Sequence, residues 1–347
     1  MLKIGIVGAS GYTSSELMRL LVKHPENIKL ELATSETYTG QAVTDVLPNL
    51  RGLIELEFSK LQVDELKDRV DIVFLAVPHK VAMSFTPGIL EQGIRVIDFS
   101  ADYRLKDAKV YEAWYHVEHT SSDLLPEAVY GLPELHREEI RKARLIANPG
   151  CYPTGAILAS LPLLSENLVH LDGIIIDAKS GISGAGSKPS DTTHLPNREG
   201  NIKAYNIGIH RHTPEIEQEL SQFAGREITV NFTPHLMPMS RGILSTLYFT
   251  LKKDISTDGL LEVYNKFYEN ESFVRVLKKG EYPQTKAIYG SNYCDVGLEV
   301  DARTKRVIAM SALDNLVKGA SGAALQNMNL IAGFEETAGL DFPPLMP

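Results

Sequence analysis

Apolar residues in the first 150 positions fall into short runs separated by polar, glycine-rich or helix-spaced stretches. Leu2 to Val7 reads as a buried strand, and Glu16 to Val22 carries Leu17, Leu20 and Leu21 at helical spacing until Pro25 stops it. Leu30 to Ala33, Asp71 to Val77 and Val96 to Phe99 are further strand-sized runs. This alternation predicts an open, mostly parallel α/β sheet. After Asn148-Pro-Gly150 the runs Gly173 to Ala178, Ile228 to Thr233, Leu244 to Leu251 and Arg306 to Leu313 have fewer helices between them, which fits an α+β domain with a mixed or antiparallel sheet. Helical spacing returns at Ile216, Leu220 and Phe223, at Leu260 to Tyr268, and from Gly319 to Ala332. The last of these helices is expected to pack back on the first domain. The domains are then 1–150 with 316–347, and 151–315. The tail from Phe342 to Pro347 is expected to be an extended or poorly ordered end.

Composition narrows the class. The 347 residues are 44% hydrophobic and carry 35 basic against 44 acidic side chains, a formal charge of −9. Two ordinary domains can bury their own cores at this length. An acidic chain without a Lys or Arg block repels polyanions, which argues against nucleic acid as a partner. Two cysteines, Cys151 and Cys294, are too few for a disulfide scaffold and suit a reducing compartment. The apolar runs are too short to span a membrane, and the start of the chain has no cleavable signal, so a soluble cytoplasmic protein is expected.

Gly5, Gly8 and Gly11 lie at three-residue spacing between the first strand and the first helix. Glycine there lets the backbone approach a pyrophosphate, whose charge the helix N–H groups favour. The spacing differs from the common G-x-G-x-x-G, and a glycine turn without ligand competes with it. Its place after a strand and before a helix nonetheless points to a Rossmann-type dinucleotide-binding domain. At the end of the second strand, Thr34 and Ser35 suit a ribose 2′-phosphate and Glu36 opposes it; the balance favours NADP.

Ala147-Asn-Pro-Gly-Cys-Tyr-Pro-Thr154 is the most informative segment. A strand ends at Asn148, Pro149 and Gly150 turn the chain, and a helix follows from Gly155, so Cys151 is expected at or just before a helix N-terminus. There the helix dipole and unpaired N–H groups stabilise a thiolate and can hold an oxyanion. Cys294 lacks such a turn and reads as structural. A nucleophilic thiol needs a base, and Ile209-His-Arg-His-Thr-Pro-Glu-Ile216 offers His210 and His212. If that segment is extended, the two point the same way and Arg211 points opposite; Thr213 is the expected N-cap, with Pro214 at the first helical position. Glu215 is placed to orient a histidine. Zinc on His210 and His212 would have only scattered third ligands such as His194 and His235, so no metal is expected.

Two further segments read as anion sites. Asp98-Phe-Ser-Ala-Asp-Tyr-Arg104 puts Ser100 and Arg104 at the C-terminal end of a parallel strand, where such sheets bind ligands. Ser180-Gly-Ile-Ser-Gly-Ala-Gly-Ser-Lys188 reads as a flexible loop whose backbone N–H groups and Lys188 cradle a phosphate or carboxylate.

With these segments in order, the chain resembles the N-acetyl-gamma-glutamyl-phosphate reductases, within the acyl-phosphate reductase group that includes aspartate-semialdehyde dehydrogenase. The resemblance rests on Gly8-Ala-Ser-Gly-Tyr-Thr13, Leu75-Ala-Val-Pro-His79, Phe99-Ser-Ala-Asp-Tyr-Arg-Leu105, the Cys151 segment, Ser180-Gly-x-Ser-Gly-Ala-Gly186, His210-Arg-His-x-Pro-Glu215, His235-Leu-x-Pro-Met-x-Arg-Gly242 and Asp314-Asn-Leu-x-Lys-Gly-Ala-Ser-Gly-Ala323. It departs from the family's usual glycine at Ser14 and from a basic residue near Glu36.

The resemblance implies reduction of an acyl phosphate to a semialdehyde through a Cys151 thioester, with NADP(H) as cofactor. His212, His210 and Glu215 are the expected proton-handling set. Cofactor positions are Gly8, Ser10, Gly11, Tyr12, Thr13, Ser35, Pro78, Ser183, Gly184 and Asn315. Substrate and phosphate positions are Ser100, Arg104, Asn148, Lys188 and Arg241. A homodimer or homotetramer is implied. The competing readings are a carrier-bound aminoadipyl-phosphate reductase and a non-catalytic NADP-binding regulator.

Overall fold

In the computed structural model, residues 1–191 and 193–346 are described. The runs read as strands in the first part of the chain form β1 (Leu2–Val7), β2 (Ile28–Ala33), β3 (Ile72–Leu75), β4 (Arg95–Asp98), β5 (Val129–Tyr130) and β6 (Leu145–Ala147). They pair in the order β2-β1-β3-β4-β6-β5, and every pairing is parallel. All four residues of β3 are buried, as expected for a strand covered on both faces. The chain leaves β1 for β2 on one side and returns to β3 on the other. The carboxyl ends of β1 and β3 are therefore a switch point, where open α/β sheets hold ligands.

The helix Gly322–Ala332 belongs with this sheet. It is buried from Gly322 to Ile331, and Asn327 Nδ2 donates to the Gly131 carbonyl at 2.8 Å. Unit 1 comprises Met1–Pro149 and Ala320–Phe342.

Unit 2 comprises Gly150–Gly319 and the terminal stretch from Pro343. Its strands are β7 (Ile174–Ser180), β8 (Lys203–Ala204), β9 (Val230–Leu236), β10 (Ile243–Thr250), β11 (Val274–Val276), β12 (Cys294–Asp301) and β13 (Arg306–Leu313). The order is β11-β12-β13-β10-β7-β9-β8. The sheet is mixed: β7 with β9 and β11 with β12 are parallel, the other pairs antiparallel. The helix Cys151–Ser165 is buried from Tyr152 to Leu164 and packs on β10 and β13, which is why its sequence lacks a polar face.

Several expectations change. The tail does not follow the C-terminal helix into unit 1: Leu345 N donates to the Tyr289 carbonyl at 2.8 Å, within unit 2. Pro347 lies outside the described residues. Gly5 is inside β1, not in the turn after it, and its missing side chain leaves room for Val70, Leu32 and Val73. Four strands went unread. β5 and β8 are only two residues long, and β11 only three. β12 carries alternating Val296, Leu298 and Val300, a legible signal, with Cys294 fully buried at its start.

Candidate active site

In unit 1, the turn between β1 and the helix Tyr12–Leu21 is built around Gly8 and Gly11. Gly8 has φ +80°, and a Cβ there would lie 2.4 Å from the Ala76 carbonyl oxygen, so only glycine fits. At Gly11 a Cβ would meet no protein atom within 4 Å. Internal packing therefore does not require that glycine, which leaves room there for a ligand. Ser14 Oγ donates to the Gly8 carbonyl at 2.9 Å, so the residue that departs from the family's glycine clamps the turn. Ser10 Oγ and Ser35 Oγ meet at 3.1 Å, and Gly8 N donates to Thr34 Oγ1 at 3.3 Å. The ends of β1 and β2 thus bring Gly8, Ser10, Thr34 and Ser35 together. Tyr12 and Pro78 are exposed, Thr13 is half-buried, and Glu36 is exposed beside Ser35. A pyrophosphate fits the glycine turn, and the hydroxyls after β2 fit a ribose phosphate.

The loop after β4 is a buried polar network. Ser100 Oγ donates to Asp98 Oδ2 at 2.7 Å and accepts from Asp102 N at 3.1 Å, with 1% of the residue exposed. Asp102 also accepts from Lys80 N and Tyr111 Oη. Burial first, then the neighbouring Asp102 charge, pushes the Asp98 carboxyl up to about 7. Arg104 Nε donates to the Asn148 carbonyl at 2.8 Å and its Nη2 to the Phe99 carbonyl at 2.7 Å. Asn148 is fully buried; its Nδ2 donates to the Ala320 carbonyl and its Oδ1 accepts from Asn327. Of the expected phosphate ligands, Ser100 is thus hydrogen-bonded within the loop after β4 and Asn148 within the turn before Gly150. Arg104 braces the same loop.

In unit 2, Cys151 is the first residue of its helix, four residues earlier than expected, with Gly150 as N-cap. It is partly exposed, unlike Cys294. Thr154 Oγ1 donates to the Gly150 carbonyl at 3.0 Å, and Glu215 Oε1 accepts from Gly150 N at 2.7 Å. Gly319 packs against Cys151. A Cβ there would be 2.8 Å from Cys151 Cβ.

His210 and His212 converge, but by another route than predicted. The segment before the helix Thr213–Ala224 is a turn, not an extended strand, and His212, not Thr213, is the N-cap, which leaves Pro214 second in the helix. The turn sets the two imidazoles 4.9 Å apart, and His212 N donates to His210 Nδ1 at 3.1 Å. Tyr152 lies edge-on to both rings, at 5.6 and 5.9 Å, and Tyr205 and Phe232 flank His210. Burial, reinforced by Arg211, pushes the His210 imidazole down to about 4, so it is neutral at pH 7. With Nδ1 accepting, its proton is on Nε2. Burial likewise pushes the Tyr152 phenol far up and Tyr205 to about 12. Sequence reasoning missed both tyrosines. Tyr152 adjoins Cys151, whereas nothing local marks Tyr205.

The remaining positions form a second cluster in unit 2. Asn315 Oδ1 accepts from Gly242 N at 2.7 Å and its Nδ2 donates to Ser183 Oγ at 2.9 Å, with Gly184 beside it. Arg241 pairs with fully buried Asp314 at 3.0 Å. The loop after β7 is not the flexible cradle expected. Its Gly181, Ile182 and Ser183 N–H groups donate to the carbonyls of Gly242, Met239 and Ser240, and residues Ile182–Ala185 form a 3-10 turn. Lys188, beyond that turn, is exposed. Among the described residues no three His, Cys, Asp or Glu side chains are grouped to hold a metal.

A parallel-sheet nucleotide domain joined to a mixed-sheet domain with a helix-start cysteine defines a class, the semialdehyde dehydrogenase type of oxidoreductase. The family descriptions "Semialdehyde dehydrogenase, NAD binding domain" and "Semialdehyde dehydrogenase, dimerisation domain" match residues 3–143 and 151–315. The fold is shared with aspartate semialdehyde dehydrogenase II from Vibrio cholerae, solved with ASA, at TM-score 0.72 and 18% identity over 96% of this chain and 98% of that one. It is shared too with the Candida albicans aspartate semialdehyde dehydrogenase solved with NADP, at TM-score 0.70 and 17% identity over 96% and 98%. Within this class the chain belongs to the N-acetyl-gamma-glutamyl-phosphate reductase family. It is 50% identical to the Desulforamulus reducens member over the full length of both chains, and 53% identical to that of Symbiobacterium thermophilum over 98% and 97% of the two.

Proposed function

We propose that this chain reduces N-acetyl-L-glutamyl 5-phosphate to N-acetyl-L-glutamate 5-semialdehyde and phosphate, with NADPH, in arginine biosynthesis. The observation that carries the chemistry is the partly exposed Cys151 at the start of a buried helix, within unit 2 alongside the paired histidines. Cys151 Sγ attacks the acyl carbon, the C–S bond forms, and phosphate leaves with the electron pair of the C–O bond. The thioester that results is a better hydride acceptor than a carboxylate. Gly8, Ser10, Gly11, Tyr12, Thr13, Ser35 and Pro78 would hold NADPH, which would supply that hydride. The tetrahedral adduct on Cys151 collapses, the C–S bond breaks, and the aldehyde departs.

His212 is the proton carrier of the pair. His210 already accepts a backbone N–H at Nδ1, so its neutral ring offers only the Nε2–H and serves as a donor to developing negative charge. Arg104, Lys188 and Arg241 supply local positive charge for phosphate and carboxylate against a net charge of −9. In this reading Ser100 and Asn148 act through the Arg104 loop rather than by touching phosphate.

The chain is taken to act in the cytoplasm as a homodimer or homotetramer; no described helix is long and apolar enough to cross a membrane. Ile175, Leu244, Tyr248, Ile308 and Met310 alternate with the core residues of β7, β10 and β13 and are at least partly exposed. Such an apolar sheet face suits a second copy. Phosphate-dependent reduction of NADP by N-acetylglutamate semialdehyde tests substrate, reaction and cofactor together. Turnover confined to a carrier-bound aminoadipyl substrate, or absent with intact NADP binding, would overturn the proposal.

A further inference from the structure

The loop from Ala76 to Val81, between β3 and the helix Ala82–Glu91, forms one wall of the glycine turn. Ala76 N donates to the Val7 carbonyl at 2.8 Å, and the Ala76 carbonyl is the atom that leaves no room for a Cβ on Gly8. Pro78, an expected cofactor position, is exposed two residues further on. The loop contains no glycine, yet Lys80 has φ +75°, a left-handed conformation that a residue with a Cβ adopts only at a cost. Val81, the N-cap of the helix that follows, supplies no side-chain cap.

Asp102, in the loop after β4, meets both needs. It is fully buried. Its Oδ1 accepts from Lys80 N at 2.7 Å and from Tyr111 Oη at 2.8 Å, and its Oδ2 accepts from Met83 N, in the first turn of the helix, at 3.2 Å. One carboxylate therefore bridges the left-handed residue and the helix start, where a carboxylate is favoured. Asp102 is itself fixed, because its N–H donates to Ser100 Oγ at 3.1 Å and its carbonyl accepts from His119 Nε2 at 2.5 Å. Beside it, Ala101 N donates to His79 Nδ1 at 2.9 Å, a second tie between the same two loops.

We infer that Asp102 is a positioning residue for the cofactor. By holding Lys80 left-handed and capping the helix Ala82–Glu91, its carboxylate keeps Ala76 to Pro78 against the glycine turn and so sets NADPH affinity from inside the protein. Relaxation of Lys80 to negative φ would re-aim the chain on either side of it and draw Pro78 away from the turn. Asparagine cannot replace the carboxylate. Whichever way its amide turns, the NH2 group faces a backbone N–H, that of Lys80 or that of Met83.

The inference rests on NADPH occupying the glycine turn. NADPH fluorescence titration of the full-length protein compares the wild type, Asp102→Asn, Lys80→Gly and the double variant. Asp102→Asn should weaken NADPH about tenfold with Lys80 in place. Glycine adopts positive φ without strain, so in the Lys80→Gly background the same substitution should weaken NADPH about threefold or less. A carboxylate that only stabilised the fold would give equal losses in both backgrounds. Hydrogen exchange without nucleotide supplies a second readout: Asp102→Asn should speed exchange in residues 76–83 while β1 and β3 keep wild-type protection.

Equal losses in the two backgrounds, wild-type NADPH affinity in Asp102→Asn, or unprotected Lys80 and Met83 amides in the wild type would each overturn the inference. If Asp102→Asn does not fold, Lys80→Gly is compared with Lys80→Val. Both remove the same charge, but only the β-branched residue resists positive φ, so equal NADPH affinities would overturn it. Wild-type protein that bound no NADPH would instead overturn the cofactor reading, and the inference with it.

Discussion

Gly319 stands so close to Cys151 that a single added methyl would overlap the cysteine, at 2.8 Å from its Cβ and 3.2 Å from its Cα. The wall behind Cys151 is therefore backbone, and the turn that forms it is tied to buried Asp314, whose carbonyl accepts from Gly319 N at 2.9 Å. Gly319→Ala should displace the thiol by a few tenths of an ångström and destabilise the fold by about 1–3 kcal/mol. Turnover should fall at least about tenfold, as expected when a reacting atom is misplaced, while NADPH affinity is retained. Steady-state kinetics alongside NADPH fluorescence titration checks this; unchanged kcat would show that the wall does not set the nucleophile's position.

The two cysteines separate cleanly. Cys151→Ser should abolish phosphate-dependent oxidation of the semialdehyde yet bind NADPH as the wild type does. Cys294→Ala, at a fully buried strand position, should cost about 1 kcal/mol of stability and keep its activity. Loss of activity in the second variant without loss of fold would remove the structural role given to Cys294.

The roles of the two histidines follow from one hydrogen bond, His212 N to His210 Nδ1. His212→Ala should lower kcat by about 10²–10⁴. His210→Ala, which removes a donor only, should cost less. The reverse order would exchange the two assignments.

His210 also leaves a mark on stability. Its imidazole is pushed from 6.5 to about 4, by burial first and Arg211 second. The unfolded chain therefore takes up a proton that the folded chain refuses, and stability falls as pH drops from about 6.5 to about 4, by at most ~3 kcal/mol. Asp98 acts in the opposite sense, because its raised carboxyl makes the folded state lose stability as pH rises from 3.8 through about 7. Urea midpoints at several pH values should show His210→Gln gaining on the wild type below about pH 6, with its relative stability constant above about pH 7. A difference that does not change with pH would contradict the burial argument.

Gly8 and Gly11 divide fold from binding. Gly8→Ala meets a backbone carbonyl at positive φ and should cost several kcal/mol, at the upper end of the roughly 1–3 kcal/mol that overpacking and strain each contribute. Gly11→Ala meets no protein atom, so its Tm should match the wild type while NADPH affinity drops about tenfold or more. Calorimetric titration of both variants tests this. Full NADPH affinity in Gly11→Ala would remove that turn from the cofactor site.

Much was legible because it is local. β1, β6 and β13 appear at the positions their apolar runs mark, and Pro149-Gly150 before Cys151 announces a turn into a helix. The partnership of His210 and His212 could also be read, although it is reached through a turn rather than an extended segment. Illegible were features that depend on residues far apart in the chain. Nothing near Arg104 tells that its guanidinium reaches the Asn148 carbonyl, 44 positions later, and nothing near Glu215 reveals that it accepts from Gly150 N, 65 positions earlier.

Residue order along the chain was sufficient for the alternating sheet, the glycine turn, the turn into the Cys151 helix and the pairing of His210 with His212. Each follows from backbone sterics, side-chain chemistry and spacing within about a dozen residues. Folding settled which polar groups remain available. Burial obliges Ser100, Asn148 and the N–H groups of Gly181, Ile182 and Ser183 to find partners inside the protein. The same requirement, that a buried N–H be satisfied, brings Glu215 Oε1 to Gly150 N.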